Sequence, residues 1–181
     1  MDDALHEAAQ VLCRGGVVAH ACEGVWGLAC DPLDEAAVGR VLDIKGRAAS
    51  KGLIVIAGCA EAFAAELGAL DDATAERIRA SWPGAVTWVV ASERFPDWIT
   101  GGRGTVAVRV PDHAQSRALS SAFGAPIVST SANRSGAPPC LTAENVREVL
   151  GDEIDHLLPG SIGDRIGPSR IVDAATGETL R

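Results

Sequence analysis

The chain contains only two lysines, and they stand six positions apart in one short basic segment, residues 44–52. Arg47 lies between Lys45 and Lys51, and most other positions of the segment carry small residues: Gly46, Ala48, Ala49, Ser50 and Gly52. Ammonium and guanidinium groups hold phosphate and carboxylate oxygens through charge-assisted hydrogen bonds. Three cations among small side chains therefore indicate a site for an anion such as a polyphosphate. The alternative is a solvated basic turn after a helix.

A second candidate is Arg109, which lies within a strand-like run from Thr105 to Val110. Strand alternation places three valines on one face and Thr105, Ala107 and Arg109 on the other. A charged side chain on a partly buried face is costly unless it meets a partner. Arg109 therefore predicts either a structural carboxylate partner or an anionic ligand. The small neighbours slightly favour the ligand.

Hydroxyl and amide side chains follow a short apolar run at residues 126–128. Ser129, Ser131 and Asn133 can each donate hydrogen bonds to phosphate or carboxylate oxygens. Because serine and asparagine also favour ordinary turns, a turn is the alternative interpretation. A later turn, residues 167–170, adds the hydroxyl of Ser169 beside a cation.

The overall charge limits the kind of ligand. The net charge is −8 and the pI is near 4.9, which argues against a general nucleic-acid coat because such a coat requires a broad basic surface. A local basic cleft in an acidic protein suits a small anion. The common nucleotide and hydrolase motifs, G-x-x-x-x-G-K-[ST], G-x-S-x-G and H-E-x-x-H, do not occur in the sequence.

Cysteine usage predicts reduced thiols in a cytoplasmic protein. The five cysteines are odd in number, form no C-x-x-C pair and have no histidine at a metal-ligand interval. His20 is nevertheless of interest, because it ends a predicted strand beside Cys22 and Glu23. The acidic N-terminus lacks a signal-peptide pattern, and no apolar run approaches the roughly 18 residues that span a bilayer. We therefore expect no membrane association.

Predicted helices and strands interleave throughout the chain. Helical periodicity covers residues 3–14, 34–44, 60–67, 71–81, 114–123 and 142–150. Strand patterns cover residues 16–20, 53–57, 86–91, 105–110, 126–129, 169–174 and 178–180. Residues 22–30 form a mixed stretch without an assigned element. This order predicts a single α/β domain, residues 1–181, around a mixed sheet.

Taken in order, these segments resemble the TsaC/YrdC family of threonylcarbamoyl-AMP synthases along nearly the whole chain. One such motif is weak evidence, but six in the family's order are specific. The resemblance rests on residues 16–19 and 23–32, Lys45-x-Arg47 with Lys51-Gly52-Leu53, Trp82-Pro83-Gly84-x-x-Thr87, residues 106–110, residues 129–136, and Pro168-Ser169.

The resemblance implies a YrdC-like fold, with a twisted mixed parallel and antiparallel sheet, flanking helices and an open concave cleft. It also implies that ATP, L-threonine and bicarbonate are joined into L-threonylcarbamoyladenylate with release of pyrophosphate. A downstream tRNA threonylcarbamoyltransferase then modifies the adenosine next to the anticodon. Mg²⁺ is expected with ATP, held mainly by the phosphates.

The resemblance also implies roles for individual residues. The implied catalytic residues are Lys45, Arg47 and Lys51. The residues implied to bind threonine and its carbamate are Cys22, Arg109, Ser129 and Ser169. The residues implied to bind ATP are Lys45, Arg47, Thr105, Ser131 and Asn133. No protein ligand for a metal is assigned.

The sequence departs from the family in the signature loop. The family reads aromatic-Pro-Thr-acid, whereas this chain reads His20-Ala21-Cys22-Glu23. A thiol is a weaker hydrogen-bond donor and acceptor than a hydroxyl, so weaker threonine binding is expected. Two alternatives remain open: a paralogue that binds RNA or a partner without catalysis, and another carbamoyl- or acyl-adenylate chemistry on the same scaffold.

Overall fold

Helices and short strands alternate along the chain in the computed structural model, which describes residues 2–164 and 167–181. The helices are α1 (Asp2–Cys13), α2 (Glu35–Lys45), α3 (Ala64–Gly68), α4 (Asp72–Ala80), α5 (Asp97–Thr100), α6 (Ala114–Phe123) and α7 (Ala143–Leu150). The strands are β1 (Val18–Ala21), β2 (Trp26–Ala29), β3 (Ile54–Ile56), β4 (Val86–Ala91), β5 (Thr105–Arg109), β6 (Ile127–Val128), β7 (Thr130–Ser131), β8 (His156–Leu157) and β9 (Arg170–Asp173). Short 3₁₀ turns cover Ala49–Lys51 and Ala60–Phe63.

The strands form two sheets, and both sheets are mixed. In the four-stranded sheet, ordered β7-β2-β1-β8, β1 runs antiparallel to β2 and parallel to β8. In the five-stranded sheet, ordered β6-β3-β5-β4-β9, β5 runs parallel to β3 and antiparallel to β4. The predicted α/β class with mixed strand pairing is confirmed. The expected single sheet is divided in two.

The chain passes directly from one sheet to the other at Ser129. The edge strand β6 ends at residue 128, and β7, an edge strand of the other sheet, begins at residue 130. Ser129 N donates to Ile54 O on β3 over 2.9 Å, while Ala132 N donates to Trp26 O on β2 over 2.8 Å. This crossing holds the edges of the two sheets together, and a concave cleft opens between them.

The central strand β5 has the predicted alternation. Val106 and Val108 are buried, whereas Thr105, Ala107 and Arg109 are only half-buried. The valines belong to the large apolar core that both sheets share with α2 and α7. Since β5 runs parallel to β3, its last residue, Arg109, emerges at the same end of the sheet as Ile56. Packing of the valine face therefore fixes the direction of the arginine.

The mixed stretch at residues 22–30 contains a strand that its pattern does not indicate. β2 pairs with β1 from Val18 opposite Ala29 to Ala21 opposite Trp26. All four residues of β2 are buried, so apolar and polar positions do not alternate. Gly27 further weakens the strand signal because glycine is rare inside strands.

The described helices carry no membrane-spanning segment, since none of them combines the necessary length and apolarity. The five cysteines are free thiols. Cys13 and Cys59 are exposed, Cys30 and Cys140 are buried, and Cys22 is partly exposed in the cleft.

Candidate active site

A cleft of about 780 Å³ opens between the two sheets, within the range of about 300–1,000 Å³ that is usual for small-molecule sites. Its charged lining consists of Lys45, Arg47, Lys51, Arg109, Arg181 and Glu23. Its smaller polar lining includes Cys22, Ser129, Thr130, Ser131, Asn133, Ser135 and Ser169. The cleft therefore gathers every residue that the sequence assigns to the site except Thr105.

Lys45 is the last residue of α2, and its side chain is almost completely buried. The helix ends because Gly46 takes a left-handed conformation with φ 56°, which suits glycine. Lys45 is 3% exposed, and its Nζ donates to the main-chain oxygens of Ser131 and Asn133 and to Asn133 Oδ1, the last over 3.0 Å. Burial and then the nearby Arg47 lower the pKa of Lys45 to about 8. An anion in the cleft would favour its charged form.

Arg47 lies in the turn that follows Lys45 and is only partly satisfied. Its Nη2 donates to Gly52 O over 2.9 Å, whereas its buried Nε has no hydrogen-bond partner within the described part of the chain. Burial and then the charge of Arg181 lower the pKa of Arg47. Lys51 is exposed at the end of the 3₁₀ turn and lines the same cleft. A buried donor and two neighbouring guanidinium groups are the features that a bound anion would satisfy.

The hydroxyl and amide cluster after β6 faces Lys45. Ser131 Oγ donates to Asn133 Oδ1 over 2.6 Å, and Asn133 Nδ2 donates to the main-chain oxygen of Ala137 over 2.6 Å. These bonds orient the amide oxygen towards the lysine. The cluster is therefore part strand, at Thr130–Ser131, and part bend, and nucleotide contacts by Ser131 and Asn133 remain a prediction.

Arg109 has the structural carboxylate partner that its strand position requires. Its Nη2 pairs with Glu23 Oε1, and its Nε donates to Gly84 O over 2.8 Å. The two paired side chains are 12% and 13% exposed. Glu23 Oε1 also accepts a 2.8 Å hydrogen bond from Asp112 N. Because a guanidinium has five N–H donors, Arg109 keeps further donors for a carboxylate ligand.

Three small polar side chains complete the cleft wall. Cys22 Sγ lies 3.8 Å from Ser129 Oγ, so residues 107 positions apart meet here. Ser169 is 7% exposed, and its hydroxyl shares a 2.8 Å hydrogen bond with Thr87 Oγ1. Since Cys22 adjoins Glu23 in the chain, these hydroxyl and thiol groups lie on the Arg109 side of the cleft.

Thr105 is not among the residues that line the cleft, and its contact with the nucleotide stays a prediction. It opens β5, four residues before Arg109, and pairs with Ala91 of β4. At about 3.3 Å per residue, the strand separates the two positions by about 13 Å. The length of β5 therefore keeps Thr105 away from Arg109, at the end of the strand that lies level with the start of β3.

The sequence interpretation does not identify two residues of the cleft, Glu23 and Arg181. The signal for Glu23 is indirect: a mid-strand arginine requires a carboxylate, and Glu23 stands beside Cys22. Arg181 lies beyond the last predicted strand and has no local pattern. Its Nη2 donates to Ser169 O over 3.4 Å, which directs its charge into the cleft.

The donor chemistry of the cleft suits anions and not a metal held by the protein. Within residues 2–164 and 167–181, no three His, Cys, Asp or Glu side chains are grouped to hold a metal ion. The carboxylate of Glu23 is already paired with Arg109. The remaining polar groups are cations, hydroxyls, a thiol and an amide.

Fold and cleft together define an α/β protein with a cation-lined cleft between two mixed sheets. Residues 10–181 match the Sua5_yciO_yrdC family model, whose description is "Telomere recombination". The chain therefore belongs to this Sua5/YciO/YrdC family, and the resemblance found in its sequence is confirmed.

Relatives of similar length share this family. The threonylcarbamoyl-AMP synthase of Halorhodospira halophila is 48% identical over 98% of this chain and 93% of its own length. That of Nitrosococcus oceani is 45% identical over 96% and 95%. That of Pseudomonas aeruginosa is 44% identical over 96% and 94%.

Solved structures show the same fold. Sua5 of P. abyssi in complex with L-threonine superposes with a TM-score of 0.89 at 34% identity over 98% of this chain. This chain spans about half, 53%, of that Sua5 chain. MTH1692 of Methanobacterium thermoautotrophicum gives a TM-score of 0.75 at 33% identity over 95% of this chain and 81% of its own. The predicted YrdC-like fold is confirmed.

Proposed function

We propose that this chain joins L-threonine, bicarbonate and ATP into L-threonylcarbamoyladenylate and releases pyrophosphate. The observation that carries this proposal is the meeting of Lys45, Arg47 and Lys51 with Arg109 in one cleft. Relatives at 44–48% identity over nearly the whole chain bear the name threonylcarbamoyl-AMP synthase. Their similar length supports the same reaction here.

The chemistry explains why the cleft is cationic. The amine of threonine adds to carbon dioxide, supplied by bicarbonate, and forms a carbamate. A carbamate oxygen then attacks the α-phosphorus of ATP, so that a new P–O bond forms and the bond to pyrophosphate breaks. Two anions must approach each other, and catalysis therefore consists mainly of positioning and charge neutralisation.

The two sides of the cleft bind different parts of the substrates. Lys45, Arg47 and Lys51 neutralise the phosphates and the carbamate. Ser131 and Asn133, which hold the ammonium of Lys45, contact the nucleotide. Preorganised donors of this kind need no rearrangement as charge moves in the transition state.

Threonine occupies the opposite side. The free donors of Arg109 hold its carboxylate, and Ser169 supports the same group or the carbamoyl adduct. Ser129 and Cys22 lie beside the threonine, where their 3.8 Å contact places a hydroxyl and a thiol together. Glu23 orients the guanidinium through their ion pair.

Mg²⁺ enters this scheme as part of the nucleotide substrate. Magnesium prefers octahedral oxygen ligands and is commonly held by substrate phosphates. Glu23, the one acidic side chain in the described part of the cleft lining, is committed to Arg109. The cleft residues therefore do not form a magnesium site of their own, and the phosphate oxygens supply the ligands.

The product is a reactive mixed anhydride and requires an acceptor. We propose that a tRNA threonylcarbamoyltransferase consumes it and modifies the adenosine next to the anticodon. The acidic pI of about 4.9 disfavours extensive RNA contact by this chain. Any direct contact with tRNA would be weak and confined to the basic rim of the cleft.

The proposal is tested by measuring pyrophosphate release from ATP. We expect release that requires both L-threonine and bicarbonate, together with a threonylcarbamoyladenylate mass in the products. Reactions that lack either co-substrate serve as controls. Release that is absent, or that is independent of threonine, would refute the proposed function. Salt-sensitive RNA binding without adenylate formation would instead support the alternative that the altered loop at Cys22 suggests, a binding module.

Cys22→Thr is expected to lower the KM for L-threonine by about three- to tenfold, with a smaller change in kcat. A hydroxyl both donates and accepts more strongly than a thiol, and a net hydrogen bond contributes about 0.5–1.5 kcal/mol. Steady-state kinetics at saturating ATP provides the measurement. Cys22→Ala is the matched control, and it should raise the KM. If a panel of other amino acids gives higher turnover than threonine, another adenylate chemistry applies.

A further inference from the structure

The thiol of Cys22 and the imidazole of His20 form a pair whose nucleophilic chemistry the proposed reaction does not use. The sulfur lies 3.6 Å from Nδ1 and 3.8 Å from Nε2 of His20. His20 is completely buried in β1, whereas Cys22 is partly exposed and lines the cleft. A buried ring with its partner at the cleft surface resembles the arrangement of reactive cysteines.

Two hydroxyls and one glycine complete the surroundings of the sulfur. Ser116 Oγ lies 3.5 Å from Cys22 Sγ and donates to Ala21 O over 3.0 Å, and Ser129 Oγ lies 3.8 Å from the sulfur. A Cβ on Gly27 would lie 3.2 Å from both the sulfur and His20 Nε2. The glycine therefore leaves space beside the pair, and the Ser129 hydroxyl is placed to donate to a charged sulfur.

The environment favours the charged forms of both groups. Burial by itself would lower the pKa of His20, but the neighbouring thiolate and its hydrogen bond raise that pKa above the ordinary value. Burial by itself would raise the pKa of Cys22, but His20 and the hydroxyls of Ser116 and Ser129 lower it below the ordinary value. The two groups thus stabilise each other as a thiolate and an imidazolium.

Among the residues that the structure describes, other charged groups near the pair are few. Glu23, the next residue in the loop, is paired with Arg109. From α6, Ser116 contacts the ring of His113 at 3.4 Å, and His113 Nε2 contacts Ser161 O at 3.0 Å. His20 is therefore the titratable group in direct contact with the sulfur among the described residues.

We propose that Cys22 is a nucleophilic thiolate, paired with His20, at which small hydroperoxides modify this protein, and that this modification closes the threonine side of the cleft. The first part is independent of the proposed function. The second part rests on it, because it assumes that threonine lies beside Cys22.

The reaction at the sulfur is a two-electron oxidation. The thiolate attacks one peroxide oxygen, an S–O bond forms, and the O–O bond breaks. The thiolate takes the terminal oxygen, and the leaving alkoxide (hydroxide for hydrogen peroxide) takes a proton and becomes an alcohol (or water), so sulfur is oxidised to a sulfenic acid and the peroxide is reduced. A small thiol in solution can restore the cysteine by way of a mixed disulfide. The added oxygen occupies the position of a threonine contact.

The nucleophile is tested in the wild-type protein by alkylation with limiting iodoacetamide, followed by mass spectrometry of each cysteine peptide. Exposed Cys13 and Cys59 are internal controls. We expect Cys22 to react about tenfold faster than either control at about pH 6, because the pairing with His20 favours its thiolate form. If Cys22 is alkylated no faster than Cys13 and Cys59, the proposal is wrong.

Variants locate the source of the reactivity. His20→Gln should slow the alkylation of Cys22 at about pH 6 roughly tenfold, since the thiolate loses its cationic partner. His113→Gln changes a nearby histidine without direct contact to the sulfur, and it should leave the rate unchanged. Equal rates in both variants would assign the reactivity to another group. The wild-type comparison stands even if His20→Gln does not fold.

The oxidative step is tested with hydrogen peroxide and dimedone, which traps sulfenic acids. We expect a dimedone adduct at Cys22 before any at Cys13 or Cys59, and slower trapping when L-threonine is present. No adduct at Cys22 would overturn the hydroperoxide assignment. Trapping that is insensitive to threonine would overturn closure of the threonine side. Neither readout requires adenylate synthesis, so each is separate from the outcome of the pyrophosphate assay.

Discussion

Lys45→Met is expected to lower kcat/KM for ATP by about a hundredfold in the pyrophosphate assay. Lys45 is 3% exposed and lines the cleft, where water screens its charge poorly. Its three ammonium donors are engaged with Ser131 and Asn133, so we expect it to act on the phosphates through its charge; a loss of about 2.7 kcal/mol corresponds to a hundredfold, because each 1.36 kcal/mol is tenfold in rate. Methionine keeps the length and most of the volume of the buried chain, so the change removes the charge and these hydrogen bonds without leaving a cavity.

Lys51→Met is the matched control for this variant. It is also a lysine-to-methionine change that removes one positive charge, but Lys51 is exposed on the rim of the cleft. Solvent screening should limit its loss to less than about tenfold. Thermal unfolding of both variants checks that the fold persists. A wild-type rate in Lys45→Met would remove Lys45 from the catalytic assignment.

Raising the pH should reproduce the effect of Lys45→Met on kcat/KM for ATP, because deprotonation also removes the charge of Lys45. The pKa of Lys45 is lowered to about 8, so the group is charged below about pH 8 and neutral above it. Since the phosphates require the charged form, kcat/KM for ATP should fall as pH rises through about 8. Bound nucleotide favours the ammonium, and the corresponding fall in kcat should therefore occur at higher pH. In Lys45→Arg, whose guanidinium stays charged, the fall near pH 8 should disappear.

Elements with strong local patterns could be predicted from the sequence. The helix at 114–123 and the strand at 86–91 have the observed bounds, because helical and strand periodicities are local properties. The two-residue strands β7 and β8 exist only through pairing with distant partners. The division into two sheets likewise depends on the crossing at Ser129, which no local pattern indicates.

In the candidate site, too, some features can be predicted from the sequence and others depend on long-range packing. Composition alone indicates the cations at Lys45, Arg47 and Lys51. It does not indicate that Lys45 is buried against Ser131 and Asn133, since this contact joins positions more than 80 residues apart. Long-range geometry of this kind is set by packing of the two sheets.

Arg109 and Thr105 show how far strand alternation alone can predict the site. Alternation places both on the same face of β5. It does not say how far along that face the cleft extends, and only Arg109 reaches it. The partner of Arg109 also stayed open at the sequence level, because a carboxylate and a ligand satisfy the same strand pattern.

Arg109→Ala is expected to lower kcat/KM for L-threonine by about a hundredfold, mostly through a higher KM. Two effects contribute. The substrate carboxylate loses a charge-assisted partner worth about 1.5–3 kcal/mol. Glu23, whose side chain is 13% exposed, loses its cation, and an uncompensated carboxylate beside the threonine site repels an anionic substrate. Steady-state kinetics with threonine as the varied substrate provides the measurement.

Glu23→Gln separates these two effects, because glutamine keeps the shape of the side chain and an oxygen that can accept from Asp112 N. In the double variant with Arg109→Ala, the repulsion is absent and only the lost substrate contact remains. We expect the double variant to recover part of the loss, up to about tenfold, and to keep a raised KM. Full recovery of threonine kinetics would show that Arg109 serves only to neutralise Glu23. No recovery would show that the carboxylate of Glu23 is harmless and that the guanidinium acts on the substrate alone.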